Sequence, residues 1–476
     1  MIVPLLLTVL AARGAASPAA ADTAIRFGRF GQVTVYRPAG VLLGTALFFS
    51  GDGGWNEGVV DMASSMARSG TLVIGVDTPK YLKAVDAGNE RCSYLAADAE
   101  ALSQYAQKEL GLPNYQPPLL VGYSSGAGLV YATLAQAPDN TFTGALSLAF
   151  DPHLPMHTPL CERNGLSSVP ATPGPGRLLS TVPRLSGPWI ILHGDEDRVW
   201  PADSAAAFVG AVSGAELVRL PKVGHGFSVQ GAWLPQFKDA VARFRPKPTD
   251  AAVLTPAALG DLPVVPLPMP ANPVADYFAI ILSGDGGWAS IDKQLGEELV
   301  RAGVPTVGFN SLQYFWRKRT PDESSNDLEA LIRYYRNAFH REKVVLIGYS
   351  RGADVLPLMA SRLPASVLDQ VRLMAFLGIE HETNLEFRLG DWLGAQHQAP
   401  YQLLPELQRL SGRPMLCVYG AHEGDTLCPD LPAGLAQELD KRLAHAGVGR
   451  QDHQSRGVFA HPQFDWRTHH PLGLDP

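Results

Sequence analysis

The sequence predicts two α/β domains in tandem, each a mostly parallel sheet flanked by helices. The hexapeptide S-G-D-G-G-W at residues 50–55 returns at 283–288, and G-Y-S-S-G-A at 122–127 returns as G-Y-S-R-G-A at 348–353. At 476 residues the chain is long enough for two cores of roughly 200 residues each. Apolar runs that alternate with amphipathic stretches are typical of strands joined by crossover helices.

Five apolar runs in each copy predict buried parallel strands, because they lack the polar alternation of a strand with one solvated face. In the first copy these runs are residues 46–50, 72–76, 119–123, 144–150 and 189–192. In the second copy they are residues 280–283, 306–309, 344–349, 373–378 and 415–419. The stretches 94–110 and 327–339 have helical periodicity and predict helices between the strands.

Both copies carry G-x-S-x-G directly after an apolar strand, a motif typical of a nucleophilic serine on a strained strand-to-helix turn. A serine hydroxyl is a poor nucleophile at its free pKa, so it needs a base within hydrogen-bond reach and an acid that orients the base. The order expected along such a chain is Ser, then Asp or Glu, then His. The two domains are therefore predicted to be α/β-hydrolase-like.

The first copy supplies all three groups in that order. Ser124 lies in the pentapeptide, and Asp197 follows the apolar run 189–192, with Asp195 as the alternative acid. His225 comes last, in a Gly-His-Gly-Phe segment, and is the predicted base. Each element alone is a weak signal, whereas the order and the strand context together predict a triad.

The second copy repeats the nucleophile and the acid loop more clearly than the base. Ser350 follows an apolar strand, and Asp425 is the predicted acid in the loop after the last predicted strand. His461 is the predicted base in the C-terminal tail. The rival bases are His453, His469 and His470, and a tail without a base is a further alternative.

The repeated S-G-D-G-G-W follows the first strong strand of each copy, where esterases carry a glycine-rich oxyanion loop. Backbone amides in such a loop turn toward the oxygen that becomes negative, and the amide after the nucleophile completes the hole. A tight turn kept for packing is the alternative. The predicted oxyanion residues are Gly51, Asp52 and Ser125 in the first copy and Gly284, Asp285 and Arg351 in the second.

Residues 1–21 are predicted to be a signal peptide, because an apolar run leads to small residues and three alanines before Asp22. No basic residue precedes the run, so a buried first strand or a misplaced start codon is the alternative. Residues 22–246 and 273–476 are the predicted domains. Residues 247–272 are rich in proline, which resists helix and central strand, and they predict a linker.

The bulk composition favours a soluble exported protein. A net charge of −7 and a pI near 6.0 argue against nucleic acid as a partner, because phosphate neutralisation needs a concentrated basic face. The four cysteines fall two in each copy, Cys92 with Cys161 and Cys417 with Cys428, and one bridge per domain is the simplest of the three possible connectivities. No ligand spacing favours a metal, so neither a metal nor a cofactor is expected.

These motifs resemble the bacterial AcvB/VirJ family of virulence proteins, which are exported and α/β-hydrolase-like and carry two related domains in the AcvB form. The resemblance covers nearly all of the mature chain and is most specific in the second copy, at residues 281–288, 311–316, 348–350, 352–357 and 417–420. It implies a periplasmic hydrolase that removes the aminoacyl group, typically lysyl, from aminoacylated phosphatidylglycerol. The implied nucleophile is Ser350, with Asp425 and a C-terminal histidine beside it.

The chain departs from the family at Arg351, where an aromatic residue is usual, and at its ending, where only A-H-P-Q-F-D at 460–465 remains of the family motif. Carboxylates at Glu380, Glu382 and Glu386 could meet a substrate ammonium, and the basic residues 317–319 could meet a phosphodiester at the membrane surface. A solvated charged face is the alternative for both groups. Two other functions stay open: a non-catalytic periplasmic adaptor in contact with a secretion system, and a general carboxylesterase or lipase.

Overall fold

The computed structural model describes residues 23–172, 174–245, 259–388, 399–420 and 423–439. The predicted signal peptide and residues 247–258 of the predicted linker lie outside the described residues. Two large sheets form, one from strands before this linker and one from strands that begin at Val264, within it. Among the described residues, no helix combines the length and the apolar character that crossing a membrane requires.

An eight-stranded sheet forms the centre of the first domain. The strands are β1 (Thr23–Phe27), β2 (Gly31–Tyr36), β3 (Gly44–Phe49), β4 (Thr71–Val76), β5 (Leu119–Tyr123), β6 (Gly144–Leu148), β7 (His153–Leu154), β8 (Ser168–Pro170), β9 (Arg177–Leu179), β10 (Arg184–Gly194) and β11 (Ser213–Leu220). The large sheet has the order β1-β2-β4-β3-β5-β6-β10-β11, while β7, β9 and β8 form a small separate sheet. The helices are α1 (Glu57–Arg68), α2 (Thr78–Asp86), α3 (Leu95–Glu109), α4 (Ser125–Gln136), α5 (Ala202–Gly210) and α6 (Leu234–Arg243).

A seven-stranded sheet forms the centre of the second domain, in the order β12-β14-β13-β15-β16-β19-β20. The strands of this domain are β12 (Val264–Pro266), β13 (Tyr277–Leu282), β14 (Thr306–Phe309), β15 (Lys343–Tyr349), β16 (Val371–Leu377), β17 (Glu382–Thr383), β18 (Tyr401–Gln402), β19 (Met415–Val418) and β20 (Gln437–Leu439). The helices are α7 (Ser290–Arg301), α8 (Ser311–Tyr314), α9 (Pro321–Phe339), α10 (Arg351–Ala360), α11 (Ala365–Leu368) and α12 (Leu403–Arg409).

The two large sheets match strand for strand. Without β1, the first sheet reads β2-β4-β3-β5-β6-β10-β11, and each position has a counterpart in the second sheet. Strand β2 pairs antiparallel with β4, and the edge strand β12 pairs antiparallel with β14, while the following strands are parallel. The predicted fold class is therefore confirmed, and the strands predicted in each copy are the five at the centre of each sheet.

The central strands are apolar on both faces because helices cover both. Along β3, Leu47 and Phe49 join one buried cluster while Ala46 and Phe48 join the other, and all four are at most 1% exposed. Alternate side chains of a strand point to opposite faces, so one continuous apolar run serves both layers. The second domain repeats this arrangement along β13.

Part of the predicted linker belongs to the second sheet. Val264–Pro266 form β12, which pairs with β14 at the edge. Proline is tolerated there because an edge strand has one side that makes no ladder hydrogen bonds. The proline-rich composition of 247–272 therefore spans an edge strand as well as a connection.

The two domains contact each other through the end of α3 and the segment after it. The Trp316 indole Nε1 donates to the Leu112 carbonyl at 2.8 Å, and its ring packs against Tyr115 and Phe387. Lys108 Nζ donates to the Trp316 carbonyl at 2.5 Å. Trp316 is only 1% exposed, so this contact buries an aromatic side chain between the domains.

Each domain contains one disulfide, as predicted: Cys92–Cys161 in the first and Cys417–Cys428 in the second. The described cysteines include no free thiol. Paired cysteines persist in oxidising compartments, so both bridges fit a protein that is exported from the cytoplasm.

Candidate active sites

The serine turn of the first domain lies between β5 and α4. Ser124 has φ 56° and ψ −120°, a conformation that non-glycine residues rarely adopt, and its N–H donates to the Leu148 carbonyl at 2.9 Å. The strain lifts the hydroxyl above the carboxyl ends of the parallel strands. Ser350 has the same turn between β15 and α10, with φ 48°, ψ −119° and an N–H bond of 2.8 Å to the Leu377 carbonyl.

The glycines of the pentapeptide are required by close backbone contacts. A Cβ on Gly126 would lie 2.4 Å from the Phe49 carbonyl oxygen, because α4 crosses the end of β3 there. The equivalent Gly352 is as tight, at 2.1 Å from the Leu282 carbonyl oxygen. Any side chain at either position would push the helix off the sheet and move the serine.

The first domain brings Ser124, His225 and Asp197 together. Ser124 Oγ lies 2.9 Å from His225 Nε2, and His225 Nδ1 lies 2.8 Å from Asp197 Oδ2. A carboxylate only accepts, so Nδ1 carries the proton and Nε2 faces the serine as an acceptor. These distances are those of an acid, a base and a nucleophile in one hydrogen-bonded chain.

Backbone amides hold the Asp197 carboxylate in place. Its Oδ1 accepts from the N–H groups of Val199 and Trp200 at 2.9 and 3.1 Å, and the side chain is fully buried. The alternative acid, Asp195, pairs instead with Arg219 at the surface at 2.6 Å. The structure therefore directs Asp197, and not Asp195, at the histidine.

The S-G-D-G-G-W segment forms the same turn in both domains. Ser50 Oγ accepts the Thr78 N–H, and Ser283 Oγ accepts the Ser311 N–H, each at 3.0 Å. The turn brings the first glycine against the nucleophile, since a Cβ on Gly51 would lie 3.1 Å from Ser124 Cβ. The predicted oxyanion loop thus lies beside the serine.

The tryptophan of this hexapeptide anchors the turn to the sheet. The Trp55 ring lies over Gly75 of β4, where a Cβ would come within 2.2 Å of it. Trp288 lies over Gly308 of β14 in the same way, at 2.4 Å. The aromatic ring needs a glycine on the neighbouring strand, which explains why both residues recur in both copies.

A cavity of about 570 Å³ lies over Ser124 and is lined by Ser125, Asp52 and His225. Two further carboxylates, Asp61 and Asp151, line it as well. Burial raises the pKa of Asp151 above its usual value. No lysine or arginine occurs among the described residues of the cavity wall, so its charged side chains favour a cationic ligand.

The serine turn of the second domain and its acid loop, except for residues 421 and 422, are among the described residues. His461 and its rivals His453, His469 and His470 lie outside them. Asp425 is exposed, and its carbonyl accepts from His381 Nδ1 at 3.2 Å. Glu423, three residues after Gly420, is the other acidic residue of this loop. Its N–H closes a turn onto the Gly420 carbonyl at 2.9 Å, as the Asp197 N–H does onto Gly194 at 3.2 Å.

Arg351 turns toward the loop that follows β16. Its guanidinium donates to the Asn384 carbonyl at 2.8 Å, to Asn384 Oδ1 at 2.7 Å and to the Glu386 carbonyl at 2.9 Å. The same group lies 5.9 Å from the Phe315 ring centroid. This departure from the family pattern therefore fixes a loop through side-chain donors.

Buried carboxyl groups surround Ser350. Asp354 lies one helical turn after the serine, and its Oδ1 accepts the Glu380 N–H at 2.8 Å. Burial, reinforced by the charge of Glu380, raises the pKa of Asp354 well above its usual range. Burial likewise raises the pKa of Asp292, at the start of α7. Sequence reasoning missed both residues, although the spacing of Asp354 from Ser350 was visible.

The other side chains of the second domain that were predicted to contact the substrate are bonded to other parts of the protein. Glu382 accepts from the Gln402 side chain at 2.7 Å, and Glu386 lies 3.4 Å from Lys108 of the first domain. Arg317 donates to the Pro113 carbonyl at 2.9 Å. Arg319 pairs with Glu323 in the capping box of α9. Of these groups, Glu380 alone lies beside the buried carboxyl Asp354.

A residue of the first domain also reaches the second site. Glu100 on α3 is buried, and a Cβ on Gly286 would lie 3.8 Å from its Oε1. Burial, together with the charge of Asp285, raises the pKa of Glu100 to about 8. Sequence analysis gave no signal for this contact because it joins residues from different domains.

The sheet order, the positive-φ serine at the strand-to-helix turn and the glycine-rich loop beside it define a protein of the α/β-hydrolase fold. The family model described as bacterial virulence protein (VirJ) matches residues 44–148 and 276–449, more than half of the chain. The chain therefore belongs to the VirJ family, as the resemblance predicted. No curated protein matches the chain significantly.

Several solved structures are similar to part of the chain. An alpha-beta serine hydrolase homologue from Coxiella burnetii is 21% identical, covers 46% of this chain and 95% of its own, and has a TM-score of 0.31. The esterase domain of a Rhodothermus marinus protein is 16% identical, with 44% and 91% coverage and a TM-score of 0.31. A thermophilic esterase from Thermogutta terrifontis is 16% identical, with 47% and 93% coverage and a TM-score of 0.32.

Proposed function

We propose that the protein is a periplasmic serine esterase that hydrolyses the aminoacyl ester of aminoacylated phosphatidylglycerol, typically the lysyl form. The single observation that carries the chemistry is the hydrogen-bonded chain from Ser124 through His225 to Asp197. Membership of the VirJ family supports the substrate, because the resemblance to AcvB-type proteins implies it.

The reaction follows from the geometry of these three residues. Ser124 Oγ attacks the ester carbonyl carbon while His225 Nε2 takes the hydroxyl proton, and Asp197 stabilises the imidazolium. The developing oxyanion is met by the Ser125 amide and the loop of Gly51 and Asp52. The C–O bond to the lipid glycerol breaks, and His225 returns the proton to that oxygen. Water, activated by the same histidine, then releases the amino acid from the acyl-serine.

Charge supports an aminoacyl group over a neutral acyl group. The cavity above Ser124 is lined by Asp52, Asp61 and Asp151, and a lysyl ester carries two ammonium groups that carboxylates attract. The second site is likewise surrounded by carboxyl groups, Asp354 and Glu380 among them. A general carboxylesterase would gain nothing from this acidic lining.

The periplasmic location rests on export. The two disulfides support an oxidising compartment, and the predicted signal peptide supplies the route. Recovery of the protein in the osmotic-shock fraction, with Asp22 as its first residue, is the expected result. Recovery with reduced cysteines in the cytoplasmic fraction would contradict it.

The test uses the purified full chain with lysyl-phosphatidylglycerol in phosphatidylglycerol vesicles, and lysine release is measured. We expect the Ser124→Ala/Ser350→Ala double variant to lose at least about 1000-fold in rate, while each single variant reports on the other domain. Ser204→Ala, at an exposed position of α5, is the matched control and should keep full activity. Unchanged release by the double variant would overturn the proposal.

The same preparation separates the rival functions. A fluorophosphonate should label Ser124, because an activated serine reacts, whereas a non-catalytic adaptor would not be labelled. Faster turnover of a neutral butyrate ester than of the lysyl ester would favour the general carboxylesterase. Labelling together with a preference for the lysyl ester is the outcome that our proposal requires.

A further inference from the structure

Exposed apolar side chains collect at one edge of the first domain. Among the described residues, eight large apolar side chains are strongly exposed. Four of these eight belong to the segments that follow β6, β10 and β11, which are neighbours in the sheet. They are Val169 (56% exposed), Leu178 (40%), Val199 (58%) and Val229 (67%), and together we call them the apolar rim.

The other four exposed apolar side chains lie at the opposite, amino edges of the two sheets. Val41 and Leu43 precede β3, and Val274 precedes β13. Met269 follows β12, which runs antiparallel to β14 and therefore ends at the amino edge. Within the described part of the chain, the strongly exposed large apolar side chains at a carboxyl edge thus all belong to the apolar rim. That edge is the one at which Ser124 lies.

Two members of the apolar rim come from the loops that carry the triad acid and base. Val199 lies two residues after Asp197 and lines the cavity above Ser124. Val229 lies four residues after His225, between two residues that both line the cavity, 228 and 230. These two exposed side chains therefore border the cavity on the side of the acid and the base.

The other two members lie on the small sheet beside the cavity. His153 of β7 lines the cavity and pairs with Leu178 of β9, which in turn pairs with Val169 of β8. Residues directly opposite each other on antiparallel strands point to the same face of a sheet. One face of the small sheet therefore leads from the cavity wall at His153 to the exposed Leu178 and Val169.

Whatever covers the apolar rim also covers the entrance to the cavity. A protein seated there would separate Ser124 from its substrate, whereas a bilayer that contains the substrate would present it. The cavity, at about 570 Å³, has the size of a site for a drug-sized molecule. A phospholipid with two acyl chains is larger than that, so a headgroup can enter while the acyl chains stay outside.

From this arrangement we infer that the apolar rim docks on a lipid bilayer and delivers the headgroup of an aminoacylated phospholipid to Ser124. The inference rests on the proposed function, since it takes the substrate of the first domain to be a lipid. The rim side chains insert at the boundary between headgroups and acyl chains, where exposed apolar residues gain free energy by leaving water. The aminoacyl ester, carried on the headgroup, then faces the cavity.

Apolar contact, and not net charge, holds the rim to the bilayer. The chain has a net charge of −7, and a phosphatidylglycerol surface is also negative, so the two repel each other at long range. Beside Val199, the exposed charges are of both signs, at Glu196 and Arg198. Salt screens the repulsion, so vesicle binding should not weaken as salt is added, in contrast to binding through a basic patch.

Vesicle binding tests the docking directly. The mature chain, from Asp22 onward, is co-sedimented with vesicles of pure phosphatidylglycerol at about 0.1 M and about 0.5 M salt. The rim variant is Val169→Thr/Leu178→Thr/Val229→Thr, because threonine suits strands and replaces apolar groups with a hydroxyl. Val199 stays unchanged because it lines the cavity. We expect the rim variant to bind at least about 10-fold more weakly than the wild type, which binds at high salt at least as well as at low salt.

The matched control removes the same number of exposed apolar side chains from the amino edges. It is Val41→Thr/Met269→Thr/Val274→Thr, and its vesicle binding should stay within about 2-fold of the wild type. Equal weakening in the rim variant and the control would overturn the inference, because binding would then not depend on the edge that carries Ser124. Wild-type vesicle binding by the rim variant would overturn it as well, even if the rim variant lost a protein partner.

Turnover separates docking from damage to the site. In a Ser350→Ala background, the rim substitutions should lower lysine release from lysyl-phosphatidylglycerol vesicles by about 10-fold, through a higher KM with kcat little changed. Hydrolysis of lysine ethyl ester, which is soluble in water, should stay within about 2-fold, because no docking precedes it. Equal losses on both esters would mean that the substitutions disturb the site itself, and the inference would be wrong.

Two outcomes distinguish this inference from the proposed function. If the wild type releases no lysine but binds vesicles through the rim, the docking surface stands and the proposed substrate fails. If the wild type and the rim variant release lysine from vesicles equally well, the proposed function stands and the inference fails. The inference also fails if Ser350→Ala abolishes a release that the wild type shows, since the rim would then not serve the active serine.

Discussion

The two domains share a sheet order and a serine turn, yet they differ in the groups around the serine. In the first domain, His225 and Asp197 complete a hydrogen-bonded chain from Ser124. In the second domain, the described residues near Ser350 include the buried carboxyl groups Asp354 and Asp292. The two domains therefore share the backbone turn that positions the serine and differ in the side chains around it, and function depends on such side chains and not on the fold.

The carboxyl groups of the second domain occupy positions that are smaller or apolar in the first. Asp354, four residues after Ser350, corresponds to Gly128, four residues after Ser124. Asp292 of α7 corresponds to Val59 of α1, counted from the hexapeptide turn. Burial raises the pKa of both carboxyl groups above the usual value. The second site therefore has carboxyl groups at positions where the first site has a glycine or an apolar side chain.

The largest expected effect tests the acid of the first domain. In a Ser350→Ala background, Asp197→Asn should lower kcat by about 10⁴-fold, because the histidine loses its orienting carboxylate and takes the wrong tautomer. Asp195→Asn is the matched control and should stay within about 2-fold, because Asp195 pairs with a half-exposed arginine. Lysine release measures both. A larger loss with Asp195→Asn would break the assignment of the first triad.

The fold could be predicted from the sequence to the extent that the strands are buried on both faces. The five central strands of each domain are continuous apolar runs, and the structure contains all of them. Strand β2 and the edge strand β12 gave no such run, because β2 is partly polar and β12 is three residues with a proline. Edge strands depend on pairing with a neighbour, which local sequence does not encode.

The site of the first domain could be predicted because its three groups follow in a fixed chain order beside recognisable strands. The acid loop of the second domain holds two acidic residues two positions apart, and their sequence does not tell which one closes the turn. In the structure, the Glu423 N–H is the one that bonds to the Gly420 carbonyl. Glu100 was out of reach, since its environment is built by contact between the domains.

The next largest effect concerns the distance between the glycine-rich loop and the serine in each domain. A Cβ on Gly51 would lie 3.1 Å from Ser124 Cβ, whereas one on Gly284 would lie 3.7 Å from Ser350 Cβ. Gly51→Ala should therefore displace the serine or the loop and lower first-domain kcat by about 100-fold, with less than about 10-fold for Gly284→Ala in the second. The two backgrounds with a single active serine allow both to be measured. Equal losses would mean that the two loops tolerate a methyl group alike.

A smaller effect, on the free energy of unfolding, is expected for Glu100, a carboxyl group of the first domain that lies beside the second domain. In the folded chain Glu100 holds its proton up to a pKa of about 8, while in the unfolded chain it ionises near 4.5. Between these values the folded state binds the extra proton, so stability falls as pH rises. Glu100→Gln should remove that slope and stabilise the protein by roughly 4 kcal/mol at pH 8 and by about 1 kcal/mol at pH 5.

Thermal unfolding at pH 5 and pH 8 measures this difference. Glu109→Gln is the matched control, because Glu109 lies exposed on the same helix and should leave the pH dependence unchanged. An unaltered slope in Glu100→Gln would mean that Glu100 is already ionised beside Asp285.

The smallest expected effect asks how firmly the two domains are joined. Lys108 donates to the Trp316 carbonyl and lies 5.4 Å from the Trp316 ring centroid, whereas Lys293 makes a single partly exposed ion pair with Asp139. Lys108→Met should cost about 1 kcal/mol and Lys293→Met at most about 0.5 kcal/mol, since exposed pairs are screened by solvent. Urea unfolding measures both. Lys108 lies on the helix that carries Glu100. A larger loss of stability from Lys293→Met than from Lys108→Met would therefore mean that the main contact between the domains does not lie beside the second serine.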